Sequence, residues 1–279
     1  MGPRNAATQF LLRNNSAKRF EVTLYGSLAA TGKGHMTDQA ILDVLGEQHT
    51  TIVWRPKEFL SFHPNGMKFR SLSDAGECLD EWTVFSVGGG ALAEEGKKAV
   101  EHKQIYEMNT ASEILAWCIS TGKSYWEYVE ECEGPEIWDY LREVWETMKS
   151  AVQRGLEQEG VLPGPLALRR KAALYHVRAE GYQQSMRTRG LLFAYALAVS
   201  EENAAGGKIV TAPTCGSCGV LPAVLYHLYR SRNFSEQRIV RALATAGLFG
   251  NIVKTNASIS GAEVGCQGEV GVACAMAAA

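Results

Sequence analysis

The feature that most constrains this chain is a change in the spacing of its apolar residues near position 105. Before it, apolar residues alternate in short runs. Phe20, Val22 and Leu24 fall on one face and Glu21, Thr23 and Tyr25 on the other, the period of a half-buried strand. After it, apolar residues recur every three or four positions, the period of helices with one buried face. A single chain that switches period once predicts an α+β fold, with a small α+β domain over 1–105 and a mainly α-helical domain over 106–279. The length of 279 residues is enough for two cores.

Within the first part, Ala6, Phe10 and Leu11 suit a short amphipathic helix over 5–17, followed by a strand over 19–28. The glycine-rich T-G-K-G-H-M-T-D, residues 31–38, reads as a strand-to-helix turn opening a helix over 37–45. Residues 51–87 read as a small sheet: T-I-V-W, F-L-S-F-H, M-K-F-R and W-T-V-F-S-V, with Pro64-Asn65-Gly66 as a hairpin turn. Residues 91–106 are charged and without period, which suits an inter-domain connection. Helices are expected over 111–120, 125–131, 136–154, 191–203, 220–229 and 235–251. Trp138, Tyr140, Leu141, Val144, Trp145 and Met148 form a wide apolar stripe that reads as core. Two prolines stiffen the loop 159–166, and 204–223 reads as a tight loop with room for one strand at most.

With a net charge of -2 and 21% charged residues, the chain shows no nucleic-acid footprint. No apolar run approaches a membrane span and residues 1–20 lack a signal-peptide core, so the cytoplasm is expected. Seven cysteines favour free thiols or metal ligation over a disulfide framework. Residues 273–279 read as a helix interior, which suggests a truncated product, and the many apolar helices suggest a homo-oligomer.

The densest chemistry lies in N-A-S-I-S-G-A-E-V-G-C-Q-G-E-V-G-V-A-C, residues 256–274. Its four glycines let backbone approach a bulky group, its carboxylates Glu263 and Glu269 look buried, and Cys266 is a candidate ligand. Lys33 and His35 are either an anion loop at a helix N-terminus or part of a plain turn. His63 sits beside a turn, where a lone histidine is usually solvated or capping. Ser86 and Gly88 to Gly90 either offer N–H groups to a carboxylate or form a flexible strand exit. Cys215-Gly-Ser-Cys218 is a redox pair, half of a metal site, or two small buried thiols. A four-cysteine zinc site is poorly supported, because Cys266 and Cys274 are eight positions apart with no suitably spaced histidine.

The segments T-G-K-G-H-M-T-D, F-H-P-N-G-M, S-V-G-G-G, E-G-V-L-P-G-P-L, E-E-N-A-A-G-G-K-I-V-T-A-P-T and K-T-N-A-S-I-S-G-A-E-V-G-C-Q-G-E-V-G-V-A-C, in that order, resemble the bacterial iron-sulfur L-serine dehydratases. The resemblance implies elimination of water from L-serine, giving pyruvate and ammonia without pyridoxal phosphate. It implies a [4Fe-4S] cluster on three cysteines, one iron of which would bind the substrate hydroxyl as a Lewis acid. Cys266 matches the first of those ligands, and the other two would lie beyond residue 279. His35 and His63 match active-site histidines, either of which could be proton acceptor or substrate anchor. Lys33, Ser86, Gly88, Gly89 and Asn256 are the substrate-binding candidates. The family's S-S-S-H-T segment, with a further histidine, would precede Met1. Cys215 stands where the family has asparagine, whereas Cys218 is typical of it. With one ligand of three, this polypeptide alone is expected to lack dehydratase activity; a non-catalytic amino-acid-binding or regulatory paralogue is the alternative.

Overall fold

The computed structural model describes residues 2–88, 90–96, 104–164, 166–259 and 261–279, and the side chains of 261–263 fall outside that description. The chain divides into two compact units, Met1–His102 and Lys103–Ala279.

The first unit is a five-stranded sheet with helices packed on one face. Its elements are α1 (Gly2–Arg13), β1 (Arg19–Tyr25), α2 (Gly26–Thr31), α3 (Thr37–Leu45), β2 (Thr50–Arg55), β3 (Gly66–Leu72), β4 (Cys78–Ser86) and β5 (Leu92–Ala93). The strand order is β2-β1-β3-β4-β5, with β1 and β2 parallel and the remaining pairs antiparallel. Alternation in β1 buries Phe20, Val22 and Leu24 against Ala6, Ala7 and Phe10 of α1 and Ile41 and Leu45 of α3. Phe10 anchors this core, with its ring 5.4 Å from that of Phe69 and 6.3 Å from that of Trp82.

Four expectations for this unit are corrected. Residues 26–31 are helical, so the glycine-rich turn joins two helices rather than a strand and a helix. The expected strand at 59–63 and the hairpin at Asn65-Gly66 do not form. The sheet order gives the reason: β3 has β1 on one side and β4 on the other, so neither edge is left for residues 59–63. Leaving β2, the chain instead loops over the start of α2 before entering β3. Leu92–Ala93 also joins the sheet, so the irregular connection begins after it.

The second unit is helical: α4 (Ala111–Thr121), α5 (Tyr125–Glu133), α6 (Ile137–Glu157), α7 (Ala172–Glu180), α8 (Gln184–Ala204), α9 (Val220–Arg232), α10 (Glu236–Asn256) and α11 (Gly261–Ala278). Capping boxes open α4 at Thr110 and Glu113 and α5 at Ser124 and Glu127. In α6 the apolar stripe buries Leu141, Trp145 and Met148, but Tyr140 is 63% exposed and does not belong to the core. Gly155 of α6 lets α8 approach closely, since a β-carbon there would sit 2.2 Å from the Ala198 carbonyl oxygen. Helix α7 and the first turns of α8 had no sequence expectation, and residues 208–210 form no strand. The glycine-rich stretch after 260 is a helix broken at Gly265 (φ 67°, ψ -179°), not an open cradle. Gly261, Gly265 and Gly268 recur at helical spacing, the signal that marks it as a helix.

Candidate functional site

In the first unit the chemistry gathers at the two ends of α2. At its start, the Gly26 N–H donates to the Glu58 carbonyl (2.8 Å) and the Ser27 N–H to the Pro64 carbonyl (3.1 Å). The loop after β2 thus caps the helix with main-chain oxygens. Gly26 is required there: its φ is +50° and a β-carbon would lie 2.6 Å from the Pro64 oxygen. His63 belongs to this loop and is buried. Its Nδ1 accepts the Asn65 backbone N–H at 3.1 Å. A main-chain N–H is only ever a donor, so neutral His63 keeps its own hydrogen on Nε2.

Asn65 ties His63 to the end of β4. The Ser86 N–H donates to the Asn65 carbonyl (3.0 Å), and the Asn65 side chain returns a bond to the Ser86 carbonyl (3.3 Å). Beyond Ser86 the chain closes on itself, with Val87 N–H donating to Ala91 and Ala91 N–H to Gly88. Gly88 and Gly90 both hold positive φ in that turn. Asn5 of α1 donates to the Gly90 carbonyl at 2.9 Å, and Gly2 lies so close that a β-carbon would meet Ser86 Oγ at 2.2 Å. Gly89 lies outside the described residues.

At the other end of α2 lies His35, whose N–H donates to Thr31 and Gly32 carbonyls while the residue is exposed. Ser27 and Thr31 are separated by about 6 Å of helix, so the backbones bearing His63 and His35 are anchored at opposite ends of α2. Lys33 is exposed and its ammonium sits 5.6 Å from the Trp54 ring.

The second unit carries Asn256 and Cys266. Asn256 ends α10, where its side-chain nitrogen donates to Asn109 (2.7 Å) and Ile252 (2.9 Å) carbonyls. Both of its donors are therefore committed. Cys266 is exposed just after the break in α11. Glu269 is half-buried and faces the 3-10 turn Cys215–Ser217, where a β-carbon on Gly216 would lie 2.6 Å from its Oε2. Among the described residues no group of three or more His, Cys, Asp or Glu is placed to hold a metal ion. One exposed thiolate is not the donor set of a cluster held by three cysteines, so no reaction step is routed through such a cluster here.

Sequence reading passed over two groups that organise these sites. Asn65 was one, because Asn-Gly reads as a hairpin signal. The other is the pair Glu201 and Glu202, both buried at the end of α8. Glu202 accepts from Arg154 (3.0 Å) and Arg170 (3.3 Å), while Glu201 accepts the Lys171 (2.6 Å) and Ala172 (3.2 Å) N–H groups that open α7. Arg154 also donates to the Lys208 carbonyl. The signal available was Glu-Glu-Asn inside an apolar helix, where paired acids demand partners.

Two family models match the chain: the serine dehydratase beta chain over residues 1–51 and 43–97, and the serine dehydratase alpha chain over residues 75–279. The chain therefore belongs to the serine dehydratase family. It is 37% identical over 334 aligned positions to the L-serine dehydratase of Haemophilus influenzae, covering 100% of this chain and 73% of that relative. L-serine dehydratase 1 of Escherichia coli is 38% identical and the L-serine dehydratase of Streptomyces coelicolor 37%, with the same shares covered.

Proposed function

We propose that this protein handles L-serine as an L-serine dehydratase, releasing pyruvate and ammonia. The observation that carries the division of roles is the bond from the Asn65 N–H to His63 Nδ1. It puts the hydrogen of neutral His63 on Nε2 and occupies the Nδ1 lone pair, so His63 is assigned as substrate anchor rather than base. His35, exposed and held through its main chain among the described residues, is then the group that takes the Cα proton. Asn256, with both amide donors spent, is a substrate-binding candidate through its side-chain oxygen, and in the first unit Asn65 ties the Ser86–Gly88 turn to the loop of His63. Lys33 supplies positive charge near His35. Cys266 is the one residue of this chain assigned to a [4Fe-4S] cluster, whose three-cysteine donor set the described residues do not bring together, so no step is derived through it. Units 1–105 and 106–279 correspond in this reading to the beta-type and alpha-type parts of the family. A cytoplasmic homo-oligomer, with no nucleic-acid or membrane partner, is the setting that composition supports.

The test is pyruvate release from L-serine after anaerobic reconstitution of the full gene product with iron and sulfide. His35→Ala should lower kcat by about 10²–10⁴-fold with little change in KM. His63→Ala should chiefly raise KM, by about 10–100-fold, for loss of a bond to a charged group. Equal effects of both changes on kcat alone would overturn the assignment of roles. Wild-type protein that binds L-serine without releasing pyruvate would instead favour an amino-acid-binding paralogue.

A further inference from the structure

The 3-10 turn Cys215–Ser217 and the residue after it, Cys218, carry a thiol pair that the serine reaction does not use. A 3-10 turn advances about 2 Å per residue with three residues per turn, so residues three apart eclipse on one face with Cα atoms about 6 Å apart. That separation lies at the centre of the range that a disulfide spans. Cys218 keeps the turn's geometry, at φ -60° and ψ -16°. The turn is also held from three sides: Asn203 donates to the Cys215 carbonyl (3.1 Å), the Thr214 and Ser217 hydroxyls pair (3.2 Å), and Gly216 abuts Glu269 of α11. The two cysteines differ in access, since Cys215 is exposed and Cys218 is 1% exposed.

We propose that Cys215 and Cys218 are a thiol-modification site that closes to a reversible disulfide when a low-molecular-weight disulfide is the oxidant. Cys215, as thiolate, attacks one sulfur of the oxidant. A Cys215–sulfur bond forms, the oxidant's own S–S bond breaks, and the first small thiolate leaves and takes up a proton. Cys218, as thiolate, then attacks Cys215 Sγ and expels the second small thiolate. Two protein thiols are oxidised and one small disulfide is reduced to two thiols. Of the other exposed cysteines, Cys266 and Cys274 cannot close on each other: they lie on one continuous stretch of α11, about 12 Å apart along its axis, beyond bridging distance, and Cys78 lies in β4 of the first unit.

Burial first, with Glu269 among the lesser causes, holds the Cys215 thiol above the ordinary range, although the residue reaches the surface. Burial pushes Cys218 up to about 12. Both effects slow thiolate attack and deny the reduced pair the stabilisation that makes a CxxC oxidising. The pair therefore suits a slow, persistent closure rather than disulfide-transfer catalysis.

The experiment incubates the whole protein with glutathione disulfide, quenches it, alkylates it in denaturant and maps it by mass spectrometry. The tryptic peptide 209–230 holds these two cysteines and no other. The expected result is a peptide lighter by two hydrogens, unalkylated at both positions and restored by dithiothreitol, while Cys266 and Cys274 carry only glutathione adducts. Closure should accelerate by about tenfold per pH unit from neutrality. Cys218→Ser should trap a stable glutathione adduct at Cys215, and Cys215→Ser, at an exposed position, should slow the loss of Cys218 alkylation more than tenfold. A wild-type adduct at Cys215 that persists beside a free Cys218 would overturn the proposal, as would inertness of both thiols where Cys266 reacts.

Discussion

The turn that carries His63 and the helix that carries Cys266 both place a reactive side chain next to glycine, yet they hold it in opposite ways. His63 is buried, its ring fixed by the Asn65 main chain, and Gly26 beneath the loop has no room for a β-carbon. Cys266 is exposed, and around Gly265 and Gly271 a β-carbon would meet nothing within 4 Å. Glycine serves close packing in the first case and backbone conformation, at the break in α11, in the second. The rigid support of the second unit lies elsewhere, in the buried acids at the end of α8 that tie down the loop leading to Cys215. A residue's chemistry can therefore be preset by its own turn or left to whatever packs on it.

The largest test of this contrast removes the acid support. Glu202→Ala strips Arg154 and the half-buried Arg170 of their shared carboxylate and should cost about 3 kcal/mol, read as a lower urea midpoint. A loss under 1 kcal/mol would mean that the acids are not the anchor. Next, Gly26→Ala meets both a positive φ and the Pro64 carbonyl, and should destabilise the first unit by about 2–3 kcal/mol. Hydrogen exchange should show the protection lost at Ser27 and Asn65 before that of β1. Cys266→Ser should leave stability within about 0.5 kcal/mol of wild type; a larger loss would show a packing role that its exposure denies.

The smallest effect is a pH dependence confined to the second unit. Burial, and then Arg232, hold the His227 imidazole below its ordinary range. The unfolded histidine takes its proton near pH 6.5, so the stabilisation from keeping it neutral is complete above that value. It is lost as pH falls from there through the lower folded value. Urea midpoints at pH 7.5 and 5.5 should differ less in His227→Gln than in wild type.

Much of the fold was legible because period reports burial. Phe20, Val22 and Leu24 announced a strand with one dry face, and Leu141, Trp145 and Met148 announced a helix with one. What failed was pairing. Asn65-Gly66 carries the local signal of a hairpin, but β1 and β4 flank β3 on both sides, a fact that no local window contains. The site failed in the same manner: His63 was visible as a histidine beside a turn, whereas its tautomer depends on the Asn65 N–H. The buried acids Glu201 and Glu202 were passed over because their partners Arg154 and Arg170 come from α6 and the loop before α7.

By itself the sequence determined the α+β class, the break between the two kinds of periodicity, the family, and the residue types available for chemistry. These follow from composition and spacing, which the chain carries wherever it goes. Only the tertiary structure decided that a loop rather than a strand presents His63, that its hydrogen sits on Nε2, and that Cys215 and Cys218 share one face of a turn. Each of those depends on which distant main-chain group occupies the last few ångströms beside a side chain.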